Sequence, residues 1–173
     1  MPSLAGNART LARYNAWMNT RLYDCCAPIP DAERKRDVGA FFKSIHGTLN
    51  HLLLGDRVWM SRFTGKPFWV NSLDAELYAD FDELRREREA TDTAILDWAG
   101  TLTDEILDGT LSFTTVVNPQ PRSDPYWITV THFFNHQTHH RGQLTTLLMQ
   151  RGIDPGVTDL IWMARNEATK APG

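Results

Sequence analysis

Cysteine is nearly absent from this 173-residue chain: Cys25 and Cys26 are the two, and they stand side by side. Adjacent thiols offer neither a disulfide framework nor a spaced metal-binding pair, which suits a reducing, cytoplasmic setting and packed, inert thiols. Basic charge is not in excess either. Eighteen lysines and arginines face 21 acids, for a net charge of −3, so there is little to neutralise a phosphate backbone and nucleic acid is not expected as a partner. No run of about 18 apolar residues occurs, and Met1 to Leu11 carries polar residues every few positions where a secretory leader would be apolar. Neither export nor membrane spanning is expected. With 42% hydrophobic residues and no repeat or low-complexity tract, residues 1–173 fit one globular domain.

Hydrophobic periodicity is mostly helical. Leu4, Leu11, Tyr14, Met18, Leu22 and Cys25 recur at sevens, fours and threes, predicting a first helix that ends before Pro28 and Pro30. Asp31 can cap a second, and a stripe from Val38 through Phe42, Ile45, Leu49, Leu52 and Trp59 to Phe63 predicts one helix of roughly thirty residues, about 45 Å long. It stops at Thr64-Gly65-Lys66-Pro67. Asp80 and Glu83 fit a capping box for a third helix, carrying Leu84, Thr91, Ile95, Trp98 and Leu102 and closed by Asp108-Gly109. Thr110 to Val117 and Tyr126 to Val130 are rich in β-branched and aromatic residues on either side of a proline-broken loop, which predicts a short hairpin. A fourth long helix follows from about Thr131 to Gln150, with Gly152 as its stop, and a short last helix starts near Thr158. The expected fold is an all-α four-helix bundle with a short β-hairpin before the last long helix and a short C-terminal helix, an architecture that builds metal and cofactor sites between facing helices.

Histidine is where the sequence is unusual. Four of the six lie close together, His132, His136, His139 and His140, all on the fourth long helix. At 100° per residue the apolar face there is Phe133, Leu144, Leu147 and Leu148; His140 falls near its centre, His136 at its edge, and His132 and His139 further round. Residues four apart stand about 5–6 Å apart at Cβ, so His136 and His140 can share one cation at about 2.0–2.1 Å. Left unpartnered, two buried imidazoles would each cost about 1–3 kcal/mol. A third ligand has to come from another helix, where His46 and His51 are available. His46 shares a stripe with Lys43, Asn50 and Arg57 and is expected to face water, whereas His51 lies with Gly47, Leu54 and Val58. His51 is the better internal candidate only if the helix is covered on a second side, and phase alone does not decide that. His132, His139 and His46 are expected to be ordinary surface or carbonyl-bonded histidines.

The run Asn135-His136-Gln137-Thr138-His139-His140-Arg141-Gly142-Gln143-Leu144 resembles the last-helix signature of the DinB family. Tyr14-Asn15-Ala16-Trp17 resembles that family's first helix, Ile45 to Leu52 with Asp56 and Trp59 its second, and Leu160 follows the usual Asp159. The resemblance spans nearly the whole chain. It implies a four-helix bundle whose zinc or nickel ion is held by three histidines, mapping onto His51, His136 and His140, with open positions for water or substrate. It also implies a homodimer, and places the chain in a superfamily that includes mycothiol-dependent maleylpyruvate isomerases and bacillithiol transferases.

Three neutral imidazoles leave a bound ion its full charge, so a coordinated water or thiol ionises near neutral pH. The expected function is a metal-dependent enzyme acting on a small molecule, with a low-molecular-weight thiol as partner in S-transfer or isomerisation. A metal-dependent hydrolase, a metal-stabilised non-catalytic protein and a metal-free helical dimerisation module are the alternatives. No catalytic base identifies itself. Asp56 is expected in a structural ion pair with Arg13, Arg141 or a tyrosine of the first helix, Arg141 in solvent or a pair, and Gln143 as a hydrogen-bond partner orienting a ligand.

Overall fold

The computed structural model describes residues 3–116 and 118–170. Its elements in order are α1 (Leu4–Cys26), α2 (Asp31–Lys35), α3 (Ile45–Thr64), α4 (Phe81–Thr101), α5 (Asp104–Leu107), β1 (Thr110–Thr114), β2 (Pro121–Pro125), α6 (Tyr126–Met149) and α7 (Leu160–Lys170). α1 packs on α4 and α6, and α3 on the same two, so the four long helices form a square with α1 diagonal to α3. Local chemistry starts them where it should. Ser3, Ser44 and Asp80 each accept a hydrogen bond from a backbone N–H three residues on, and Gly65 ends α3 in the left-handed conformation. Among the described residues no helix is long and apolar enough to cross a membrane.

The predicted long second helix is two helices. Between α2 and α3 the backbone turns through Gly39 and Lys43, both with positive φ, and Ser44 caps a new start. The apolar stripe continues across this break because both sides face the same core, and periodicity alone does not register the turn. Likewise α4 ends at Thr101 and Thr103 caps the separate turn α5, ahead of the expected stop at Asp108-Gly109. The hairpin is real but its second strand lies earlier than expected. β1 pairs antiparallel with β2, Thr110 opposite Pro125, while Tyr126 to Val130 forms the first turns of α6. Tertiary burial overrides strand propensity there. Thr129, Val130, Phe133 and Phe134 are buried at helical spacing, the two phenylalanines against Trp98, and Tyr126 lies tilted against Phe63. Val117, the expected end of the first strand, lies outside the described residues.

Two apolar clusters fill the bundle. One holds Met18, Leu22, Leu49, Leu84 and Leu144; the other holds Ala8, Ala12, Ile95, Trp98 and Phe133. Between them, at the middle of each long helix, runs a belt of buried polar side chains: Asn15 and Asn19 on α1, Asp56 on α3, Arg88 and Asp92 on α4, Gln137 and Arg141 on α6. Arg88 lies 2.6 Å from Asp56 and 2.8 Å from Asp92. Although burial works against its charge, those two carboxylates hold the guanidinium above its ordinary pKa. Asn15 and Asn19 donate to Asp92, and Arg141 donates to Asn15. Asp56 is therefore in an ion pair, as expected, but with Arg88, and Arg13 instead meets Glu167. Cys26 is buried and Cys25 half-buried, both free thiols.

Candidate metal centre

The long irregular connection between α3 and α4, residues 65–80, supplies the second cover that His51 needs. It runs back over α3, and the Leu73 carbonyl lies 3.0 Å from His51 Nδ1. The same connection covers His46, which is buried and bonded through Nε2 to the Tyr78 carbonyl at 2.9 Å, contrary to the solvent exposure its phase suggested. Asn50 completes that anchor, accepting from the Leu77 and Tyr78 N–H groups. His46 is thus a structural histidine with a carbonyl partner, and His51 is left to face α6.

There it meets the predicted pair. His51 Nε2 is 3.3 Å from His136 Nε2 and 3.2 Å from His140 Nε2, and the last two are 3.1 Å apart. Ligands at about 2.0–2.1 Å from one ion stand about 3.3 Å apart in tetrahedral geometry and about 2.9 Å apart in octahedral geometry. The observed triangle falls between these. Two tautomers agree with this: Nδ1 of His51 donates to the Leu73 carbonyl and Nδ1 of His140 to Gln143 Oε1 at 2.9 Å, which leaves the Nε2 of both with a lone pair aimed into the cluster, while His136 Nδ1 is buried without a partner. Converging lone pairs repel unless a cation stands among them, so the donor set fits a divalent ion. Burial lowers the pKa of all three imidazoles, of His51 to about 4 and of His136 to about 3, with the neighbouring histidines adding to the effect at His136 and the Leu73 and Gln143 contacts opposing it at His51 and His140. All three are neutral at pH 7, the form that coordinates a metal.

Packing fixes the rings. Phe42, in the turn before α3, stacks on His51 with centroids 3.7 Å apart and meets His140 edge-on at 5.3 Å. Two glycines one helical turn either side of His51 make room. A Cβ at Gly47 would overlap the Phe42 carbonyl, and one at Gly55 would stand 3.0 Å from His136 Cε1. Neither Phe42, Gly55 nor the Leu73 carbonyl is singled out by the sequence patterns, although a glycine in mid-helix on the His51 stripe is a signal that could have been followed. Gln143 takes the orienting position expected of it. His132 and His139 are exposed, the first against Trp59 and the second beside Gln143. Among the described residues no fourth histidine, cysteine or carboxylate joins the cluster.

The model of the DinB family matches residues 1–171. Protein DinB of Bacillus subtilis (strain 168) is 26% identical over 158 residues, which is 86% of this chain and 88% of that protein. The crystal structure of a DinB-like protein from Bacillus cereus ATCC 10987 superposes with a TM-score of 0.65 at 22% identity, over 84% of this chain and 91% of that one, a likeness of fold. The chain belongs to the DinB family.

Proposed function

We propose that this protein is a metal-dependent enzyme in which His51, His136 and His140 hold one divalent ion, zinc or nickel, and that it activates a low-molecular-weight thiol for S-transfer or isomerisation of a small electrophile. The observation that carries this is the triangle of three Nε2 atoms 3.1–3.3 Å apart with no fourth protein ligand among the described residues. A structural zinc site is normally closed by four side chains, whereas three leave room for an exogenous ligand. Asp56 is committed to Arg88, and His139 is exposed beside Gln143. A divalent ion supplies the charge that brings a coordinated thiol or water into its ionised form near neutral pH.

The preference for a thiol over water rests on the family to which the chain belongs, since a coordinated thiol and a coordinated water are both ionised by such an ion and the cluster fits either. The role of the chain's own residues is then to hold the imidazoles neutral and oriented, through Leu73, Gln143 and Phe42, and to keep the ion's remaining positions open.

Elemental analysis of the purified protein and its His140→Ala variant tests the ligand set. About one equivalent of divalent metal is expected in the first and none in the second. Adding 2-mercaptoethanol to cobalt-substituted protein tests the thiol: a new near-ultraviolet charge-transfer band is expected. Full metal occupancy in the variant overturns the ligand set, and an unchanged cobalt spectrum overturns the thiol.

A further inference from the structure

Two cavities flank the segment Lys66 to Phe68. The larger, about 640 Å³, lies between α3 and α4, and the guanidinium on its wall, that of Arg57, is matched by Glu87 and the Tyr78 hydroxyl. The other, about 510 Å³, lies between α3, the connection that follows it and β1, and its guanidinium is not matched. The Arg62 guanidinium rests 4.4 Å from the ring centre of Trp59 and 4.5 Å from that of Phe113. Those rings hold it by cation–π attraction, but they offer no acceptor to its in-plane N–H groups. Among the described residues it has no carboxylate within 4.0 Å and no hydrogen bond, and burial lowers its pKa, as befits a cation partly removed from water without a counter-charge. Lys66 is also on the lining, and no acid is, in a chain whose net charge is −3. The rest of the surface is mostly apolar or hydroxylic, including Phe68, Trp69 and Val70.

The position of this cavity relates it to the histidines. His51, Gly55, Val58 and Arg62 follow one another at four, three and four residues, so they share one stripe of α3, and eleven residues of helix set Arg62 about 16 Å along the axis from His51. Val58 is in the cavity wall, two turns from His51. The facing wall leads the same way, since Val70 is three residues before Leu73, whose carbonyl holds His51. On α6, His132 lies between the two places, 5.2 Å from Trp59 and 6.1 Å from His136 by ring centres.

We propose that this cavity binds a small organic anion, a carboxylate carried on an apolar body, with the carboxylate on Arg62 and the opposite end directed along α3 toward the histidine cluster. That such an anion is the electrophilic substrate rests on the function proposed above; that it binds at Arg62 does not. One guanidinium with free N–H edges pairs with one carboxylate, and the aromatic walls cover an apolar body that inorganic phosphate lacks.

The experiment compares 4-phenylbutyrate with its neutral amide, 4-phenylbutanamide, by titration calorimetry on the wild type and on Arg62→Gln and His140→Ala variants. The carboxylate is expected to bind the wild type about tenfold or more tighter than the amide, a preference that Arg62→Gln abolishes and His140→Ala keeps. Raising the salt concentration on the wild type alone is expected to weaken the carboxylate and leave the amide unchanged, which keeps the proposal testable should Arg62→Gln fail to fold. Equal binding of the two probes by the wild type, a preference that survives Arg62→Gln, no binding of either at millimolar concentration, or displacement of the carboxylate by equimolar inorganic phosphate overturns it. If His140→Ala retains its full metal yet the Arg62-dependent preference is present, the ligand set fails and this site stands.

Discussion

Replacing Gly55 by alanine puts one methyl group between α3 and the His136 ring. The added Cβ would stand 3.0 Å from His136 Cε1, closer than ordinary carbon contacts, so the ring has to give by a few tenths of an ångström. Metal–ligand distances tolerate about 0.2 Å. The displacement therefore exceeds what the cluster accommodates, and divalent metal affinity is expected to fall on the order of tenfold to hundredfold, or about 1.4–2.8 kcal/mol. Global stability moves less, because overpacking costs about 1–3 kcal/mol while removing a helical glycine returns up to about 1 kcal/mol. Gly142→Ala is the matched control: it lies in the interior of α6, and a Cβ there meets nothing within 4 Å. It is expected to raise the stability of the metal-free protein by about 0.5–1 kcal/mol and leave metal affinity alone. Competition against a chromophoric chelator reads the affinities, and urea unfolding of the metal-free proteins reads the stabilities. Wild-type metal affinity in Gly55→Ala would refute the geometric argument.

Three more outcomes are expected. Gln143→Leu removes the acceptor that orients His140 Nδ1, so metal affinity should drop about tenfold or more with little change in unfolding, and an unaltered affinity in the chelator assay counts against the orienting role. Asp56→Ala leaves Arg88 buried with Asp92 as its remaining carboxylate, and should cost about 3 kcal/mol or more in urea unfolding; a loss under about 1 kcal/mol would show that the belt relaxes around the gap. Acidification acts on the histidines. With His51 at about 4 and His136 at about 3, against about 6.5 in the unfolded chain, the unfolded state binds more protons over the interval from about pH 4 to 6.5. Stability of the metal-free protein is therefore complete above that interval and lost as pH falls through it, and metal is released over the same range. Calorimetry and metal retention across pH 7 to 4 check this, and flat profiles in both would contradict the neutral-imidazole assignment.

Much of the site was legible before any fold was known, because His136 and His140 belong to one helix and their relation depends only on 100° per residue. The same holds for Gln143, three residues beyond His140. His51 was different: its angle about α3 is a property of the sequence, but whether that side is inside depends on the connection 65–80 folding back over it, and nothing local in those residues encodes that path. The phase of His46 pointed to water for the same reason, and the same connection buried it. The sequence points to a paired Asp56, since a lone acid on an apolar stripe needs a cation, yet Arg88 is 32 positions away on a helix whose own stripe gives no reason to choose it. The break before Ile45 and the early start of α6 are cases where core contacts outweighed a continuous stripe and a β-rich composition. Composition, charge, the number of long helices and the inward histidine pair were thus set by the chain itself. The third histidine of the cluster, the glycine clearance beneath His136 and the unmatched charge at Arg62 were decided by packing, because periodicity reports a side chain's direction about its own helix axis and not the distance to a neighbour on another.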